Sequence, residues 1–361
     1  MIEHLHLDRT CLGLIVATSL TGAASADALA LLLERGSPSG SEAMIDQDPP
    51  SDGEASGTPV DAETDSDSGS PLGWNIMFER IERGTHASLG YLHEFGTDFG
   101  DGGSVSVDRA FGSIGTELRF HPEVTGSVAL AWGGDWYRFK GDSELSPAPG
   151  VTPWNSVQAV TAIGLSNWQL DQRWSMNLGL RIGFAGETQA RFSDSLTFGG
   201  NAALSYAFSE KLSIGGGVLL SSQIEDSILA IPVVIVYWQV TDTVVVSNVL
   251  GPEAYPTGAG LEIAWRPDRI SEVSIGSRYE VRRFRLDDTG PANRSEGVGE
   301  DSGLPIWLRS TWRFSNGIRM DIVGGVSLFN EYRLDDRNGN RISNADLDPA
   351  AFIAGFVSWR F

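Results

Sequence analysis

Cysteine, histidine, basic residues and long apolar runs are all scarce in this chain. The single cysteine, Cys11, lies near the N-terminus, which excludes a disulfide framework or a cysteine-rich metal centre. Five histidines among 361 residues leave few groups for general-base catalysis. Lys and Arg number 26 against 47 Asp and Glu, a formal net charge of −21. That balance argues against nucleic acid as a partner and against a basic patch for anionic lipid surfaces. No apolar run approaches the roughly 20 residues of a membrane-spanning helix. If the chain crosses a membrane, it does so as a closed β-barrel, the other structure that satisfies its own backbone in lipid.

Glycine (43) and tryptophan (11) are plentiful and charged residues make up only 20%, a profile that suits an all-β chain. At the N-terminus, Arg9 precedes the apolar run Cys11 to Leu20, and small residues lead to Ala24-Ser25-Ala26. Residues 1–26 therefore read as a cleavable secretory signal, diluted by Glu3 and Asp8. Asp8-Arg9-Thr10 before Cys11 is no lipoprotein box, so no lipid anchor is expected. Residues 27–73 read as a disordered tether, because Gly36 to Gly73 holds nine acids, no Lys or Arg, and little apolar surface.

Residues 74–361 read as the folded domain. From about Ala87, alternating runs are joined by similar short turns: Phe120–Val124, Leu170–Trp174, Phe208–Leu212, Val240–Val244, Arg266–Ile270 and Phe314–Ile318. Longer polar connections fall strictly between them, at Gly96 to Ser104, Lys140 to Pro153, Gly186 to Ser195, Gln223 to Ser227, Gly251 to Gly258, Asp287 to Ser302 and Asp335 to Pro349. Seven long loops and six short turns separate fourteen strands, with both ends on the short-turn side, as in an antiparallel up-and-down transmembrane β-barrel. Twelve or sixteen strands are the alternatives.

Alternation assigns the faces. Val273, Ile275, Tyr279 and Val281 oppose Glu272, Ser274, Arg278, Glu280 and Arg282, and Ile318, Met320 and Ile322 oppose Arg319 and Asp321. A soluble sandwich could use the same pattern with its apolar face inward. Aromatics near the strand ends, among them Trp168, Trp174, Phe208, Trp238 and Trp265, favour an interfacial girdle and lipid-facing apolar residues. Ile228 to Tyr237 is apolar on both faces and holds Pro232, so it either packs inward on a plug or is deformed at the proline. The closing run Ala350 to Phe361 ends on a terminal aromatic and resembles the last strand of bacterial outer-membrane barrels; by that resemblance Trp359 and Phe361 are the signal for the barrel-assembly machinery.

Two stretches, Ala230 to Asp268 and Gly297 to Phe314, resemble an uncharacterised family of outer-membrane barrel domains. The resemblance rests on a proline-bearing strand, a Trp-Gln-x-Thr-Asp turn, a Ser-Asn-x-Leu strand end and a Gly-x-Gly-Glu-Asp loop before Trp-Arg-Phe. It implies a barrel in the bacterial outer membrane, with lipid and the assembly machinery as partners, and no particular activity.

Candidate functional residues are the lumen charges Arg278, Glu280, Arg282, Arg309, Arg313, Arg319, Asp321 and Arg360, with Glu117, Arg119 and Arg181 upstream. They suit a passive pore or binding barrel for small polar solutes, or equally a set of ion pairs bracing a closed structural or adhesive barrel. An outer-membrane hydrolase would use His93 with Glu94 and Asp98, although no spacing identifies a nucleophile, and no enzymatic activity is expected. Asp336 to Asp346 is similar to a calcium loop, but Arg341 replaces its glycine and Asp346 closes it one residue early; Asn338-Gly339 suits a hairpin tip. No cofactor or metal is expected.

Overall fold

The computed structural model describes residues 84–361 except 101, 142, 147–149, 226–227, 249–259, 289–293 and 316. The signal and tether expected over 1–73 lie outside the described residues, as do the start of the folded domain and the loop expected at Gly251 to Gly258. Among the described residues sixteen strand segments follow one another: β1 (Thr85–Asp98), β2 (Ser104–His121), β3 (Val124–Lys140), β4 (Ser156–Gln169), β5 (Trp174–Glu187), β6 (Leu196–Ser209), β7 (Leu212–Ser222) and β8 (Ile228–Gln239). Then come β9 (Val244–Ser247), β10 (Gly260–Trp265), β11 (Ser271–Arg278), β12 (Glu280–Arg285), β13 (Val298–Arg313), β14 (Ile318–Asp335), β15 (Arg341–Leu347) and β16 (Ala350–Arg360).

These segments make fourteen staves. β11 and β12 pair with successive stretches of β13, and β15 and β16 with successive stretches of β14, so each couple is one interrupted stave. Every stave is antiparallel to its neighbours, and β16 returns to β1 over His86↔Arg360 to Glu94↔Phe352, closing the ring. The fold is a closed fourteen-stave antiparallel barrel.

All six short turns fall between staves where the spacing places them. Side chains lock several. The Asp171 carboxylate accepts the Arg173 and Trp174 amides at 2.7 and 2.8 Å, and Asp268 accepts the Ile270 and Ser271 amides at 2.7 Å each. The Thr241 hydroxyl accepts the amides of Thr243 and Val244. A short polar side chain that occupies these amides fixes a turn without help from the rest of the fold.

Two long connections differ from expectation. Val298 to Ser302, read as loop, is the outer end of β13, and Arg341 to Leu347, inside the expected Asp335 to Pro349 loop, is β15. Both are polar segments that pair because β14 runs eighteen residues and offers its outer edge. At the tip between β14 and β15, Gly339 takes φ +82° and Asp336 accepts the Asn338 and Asn340 amides at 2.8 Å, so this is a hairpin turn.

Inward and outward faces follow the alternation. Leu180, Phe198, Val234, Leu308 and Ile322 lie exposed on the outside, while Arg278, Arg309, Arg319 and Asp321 lie buried inside. Phe120, Trp168, Trp174, Phe208, Trp238 and Trp265 stand exposed at the short-turn ends. β8 pairs with β7 from Leu212↔Trp238 to Ser222↔Ile228 with no register shift, so Pro232 does not deform it. Among the described residues β9 pairs with β8 only at Tyr237 to Gln239, which leaves Pro232 on an unladdered edge where its missing N–H costs nothing. Ile231, Val233 and Ile235 of β8 are buried on the inner face.

Candidate functional site

The interior is the candidate site. It is lined by charge, as the sequence implies, and it is filled. Toward the short-turn end, Glu272 takes three guanidiniums: Arg266 at 2.6 Å, Arg313 at 2.9 Å and Arg309 at 3.1 Å. Arg309 also reaches Glu262, which accepts a bond from the Trp307 indole at 3.2 Å, and Arg319 pairs with Asp321 at 2.9 Å. Glu262, Glu272, Arg309 and Asp321 are each no more than 2% exposed. Ions this deep stay charged only because opposite charges and hydrogen bonds surround them.

A second network sits further toward the long-loop end. Glu280 bridges Arg278 and Arg282, and Arg109 reaches Asp301 at 3.0 Å, Asp135 at 3.3 Å and Glu94 at 3.6 Å. The Tyr137 hydroxyl donates to Asp301 at 2.9 Å. The eight predicted lumen residues thus divide: Arg309, Arg313, Arg319 and Asp321 join the first network, and Arg278, Glu280 and Arg282 the second. Arg360 stands apart with Glu117 at 3.8 Å. Arg181 lines a small inner cavity with Thr161, Gly183 and Thr197. Arg119 does not line the lumen; it is exposed at the β2–β3 turn, where it donates to the Pro122 carbonyl at 3.4 Å, because the stave ends two residues later.

Arg109, Asp135, Glu262 and Asp301 are central here and escaped the sequence reading, and Glu94 entered it only beside His93. Each obeys the alternation, so period-two reading of β1, β2, β3, β10 and β13 could have placed them inward. Their partners lie as far off as the 192 positions between Arg109 and Asp301, and no local pattern encodes that.

Above the second network an aromatic cluster closes the outer end. Trp154, from the connection before β4, is wholly buried and packs against Tyr137, Phe139, Phe284 and Tyr332 at ring-centre distances of 5.3–5.8 Å. The outer mouth is narrowed further where β12 meets β5 in a parallel bridge, Arg285↔Gly186. That bridge passes over the staves β6 to β10. From there the Arg285 guanidinium donates to the carbonyls of Asp194, Ile224 and Glu296 at 2.6–2.9 Å, knitting three loops together. Nearer the middle, Leu92 of β1 shares one apolar cluster with Tyr237 of β8, Val245 of β9, Trp307 and Phe356. β1 and β8 are seven staves apart on a ring of fourteen, so side chains bridge the full width of the lumen.

The grouping of His93 with Glu94 and Asp98 that a hydrolase would use is not formed. Strand alternation turns Glu94 into the lumen and leaves His93 on the outer surface, where its Nδ1 meets Asp108 at 2.8 Å. Asp108 also accepts the Tyr91 hydroxyl and pairs with Arg138 at 2.5 Å. Among the described residues no Ser, Thr or Cys is hydrogen-bonded to His93, and no three acidic, histidine or cysteine side chains are grouped to hold a metal.

A closed ring with an apolar exterior, aromatic ends and a charged interior belongs to the membrane-spanning β-barrels. Residues 161–360 match the family described as Domain of unknown function (DUF6268), and the chain belongs to that family. The stretches 230–268 and 297–314, which carry the family resemblance, both fall within the match. Solved structures similar to the chain include the P. putida toluene transporter TodX, at 8% identity over 80% of this chain and 91% of that one, with a TM-score of 0.42. An outer membrane channel from Pseudomonas putida F1 is 8% identical over 77% of this chain and 95% of that one, with a TM-score of 0.43. The KdgM porin is 9% identical over 76% of this chain and 99% of that one, with a TM-score of 0.30. No curated protein matches.

Proposed function

We propose that this chain is a bacterial outer-membrane barrel that admits small polar solutes through a lumen shut at rest. The outward belt of exposed apolar side chains needs lipid to cover it, and the even stave count with both ends on the short-turn side suits an outer-membrane barrel. The observation that carries the gate is the state of Trp154. Among the described residues its indole Nε1 and the Tyr332 hydroxyl are buried without hydrogen-bond partners, so the ring cluster stops the outer end without being anchored there by its polar groups. Mixed charge along the inner wall suits polar cargo.

A second reading, a closed structural barrel acting through its loops, is favoured by the density of the two ion-pair networks. Liposome swelling separates the two. Vesicles bearing the refolded wild-type chain should swell slowly in an isotonic small sugar, and those bearing Trp154→Ala several times faster. If Trp154→Ala vesicles swell no faster than protein-free ones, the structural reading replaces the conduit. Catalysis has the least support, since His93 is held by Asp108 and Arg138 is tied to the same carboxylate.

A further inference from the structure

Opposite in character to the charged wall is a neutral patch at the short-turn end of β4 to β7. Asn167 on β4, Ser175 and Asn177 on β5, Asn201 and Ser205 on β6, and Ser213 on β7 all occupy inward positions of the alternation. They are neighbours across the sheet: Asn167 stands opposite Asn177, and Ser175 opposite Ser205. Ser175, Asn177 and Ser205 are 0% exposed and Ser213 2%. Between them on the same face come Gly179, Ala203, Gly215 and Gly217, with Leu165 beside Asn167 on β4 and Arg181 beyond Gly179 on β5.

The second observation concerns hydrogen bonding. The Asn167 Oδ1, Ser175 Oγ, both polar atoms of the Asn177 carboxamide, Asn201 Nδ2, Ser205 Oγ and Ser213 Oγ are buried and have no hydrogen-bond partner among the described residues. One such atom in a folded protein calls for an explanation, and a contiguous set on four adjacent staves points to something they bind together.

The chemistry of the set narrows what that is. A hydroxyl both donates and accepts, and a carboxamide has an oxygen acceptor beside two N–H donors. None of the six side chains carries a charge. A carboxylate would use only the donors and leave the acceptors idle, while an ammonium would do the reverse. A molecule rich in hydroxyl groups and free of charge satisfies both kinds, and few well-placed polar groups in a concave wall are what a small-molecule site needs. We infer that Asn167, Ser175, Asn177, Asn201, Ser205 and Ser213 form a binding site for a neutral polyhydroxylated solute, a monosaccharide or polyol, at the short-turn vestibule of the lumen. This inference deepens the conduit reading and rests on it for the identity of the cargo.

Equilibrium binding tests it without any flow across a membrane. The refolded full chain, in lauryldimethylamine oxide micelles that carry no sugar headgroup, is titrated calorimetrically with glucose, gluconate and glucosamine. Saturable binding of glucose is expected, with gluconate and glucosamine at least tenfold weaker. Asn177→Ala should weaken glucose at least tenfold, and Leu180→Ala, exposed on the outer face of the same stave, should leave it unchanged. Should Asn177→Ala fail to fold, Ser205→Ala carries the same comparison. Absence of glucose binding to the wild type, equal binding of gluconate, or equal loss in Leu180→Ala overturns the site. Glucose binding lost while Trp154→Ala vesicles still swell removes the site and leaves the conduit; binding kept while no vesicle swells removes the conduit and leaves the site.

Discussion

Glu272 is the residue on which the first network converges, since three guanidiniums lie within 2.6–3.1 Å of its carboxylate. Making it neutral leaves buried positive charge without its counter-ion, and breaking a buried pair in that way costs about 3–5 kcal/mol. Glu272→Gln should therefore lower the urea midpoint of the refolded barrel markedly, whereas a midpoint equal to wild type would mean that the network is hydrated and weak. Gly90 has a different task. A Cβ there would stand 2.1 Å from the Phe111 ring and 2.7 Å from Phe356, at the seam where β1 meets β16. Gly90→Val should reduce the yield of the compact, heat-modifiable form on detergent gels; full yield would show that the seam has room.

At the scale of elements, the short turns are the part of the chain most legible in sequence. A turn is written in residues that touch each other, as Asp171 does with the two amides that follow it, so spacing alone identifies it. The staves are legible for a similar reason, because a period of two puts Glu272 and Val273 on opposite faces wherever the strand lies. What lies beyond local pattern is the pairing of outer ends, as in β15, and every contact across the lumen. The turn carboxylates also give a pH prediction. Amide donors hold Asp171 and Asp268 below the ordinary carboxylate range. A depressed folded-state value means that their contribution is fully present above the unfolded value of about 3.9 and is lost as pH falls through the lower folded one. In a pH titration by NMR, the amides of Trp174 and Ser271 should keep their native shifts down through that ordinary value and move only below it; movement centred on the ordinary value would contradict the turn lock. β16 carries a further expectation. Phe361 is exposed, and its amide donates to the Thr85 carbonyl at 2.9 Å, so its ring is available to an assembly partner while its backbone closes the seam. Phe361→Ala should lower membrane-inserted protein in cells while leaving detergent refolding intact, and equal insertion would remove the assembly role.

For the whole molecule, the alternation promised a charged lumen and said nothing about how full it is. Fourteen staves enclose more width than one layer of side chains fills. Here the width is taken up by clusters that join β1 to β8 and by Trp154 under the β12–β5 bridge. Trp154 sits in a connection outside the alternating runs, so the side chain proposed as the gate is among the parts least visible in the pattern. Single-channel recording in planar bilayers tests this most directly. Wild-type protein should stay closed or open rarely, and Trp154→Ala should show frequent, stable ion-permeable steps. A wild-type barrel that conducts steadily, or a Trp154→Ala barrel as silent as the wild type, would contradict a lumen gated by that side chain.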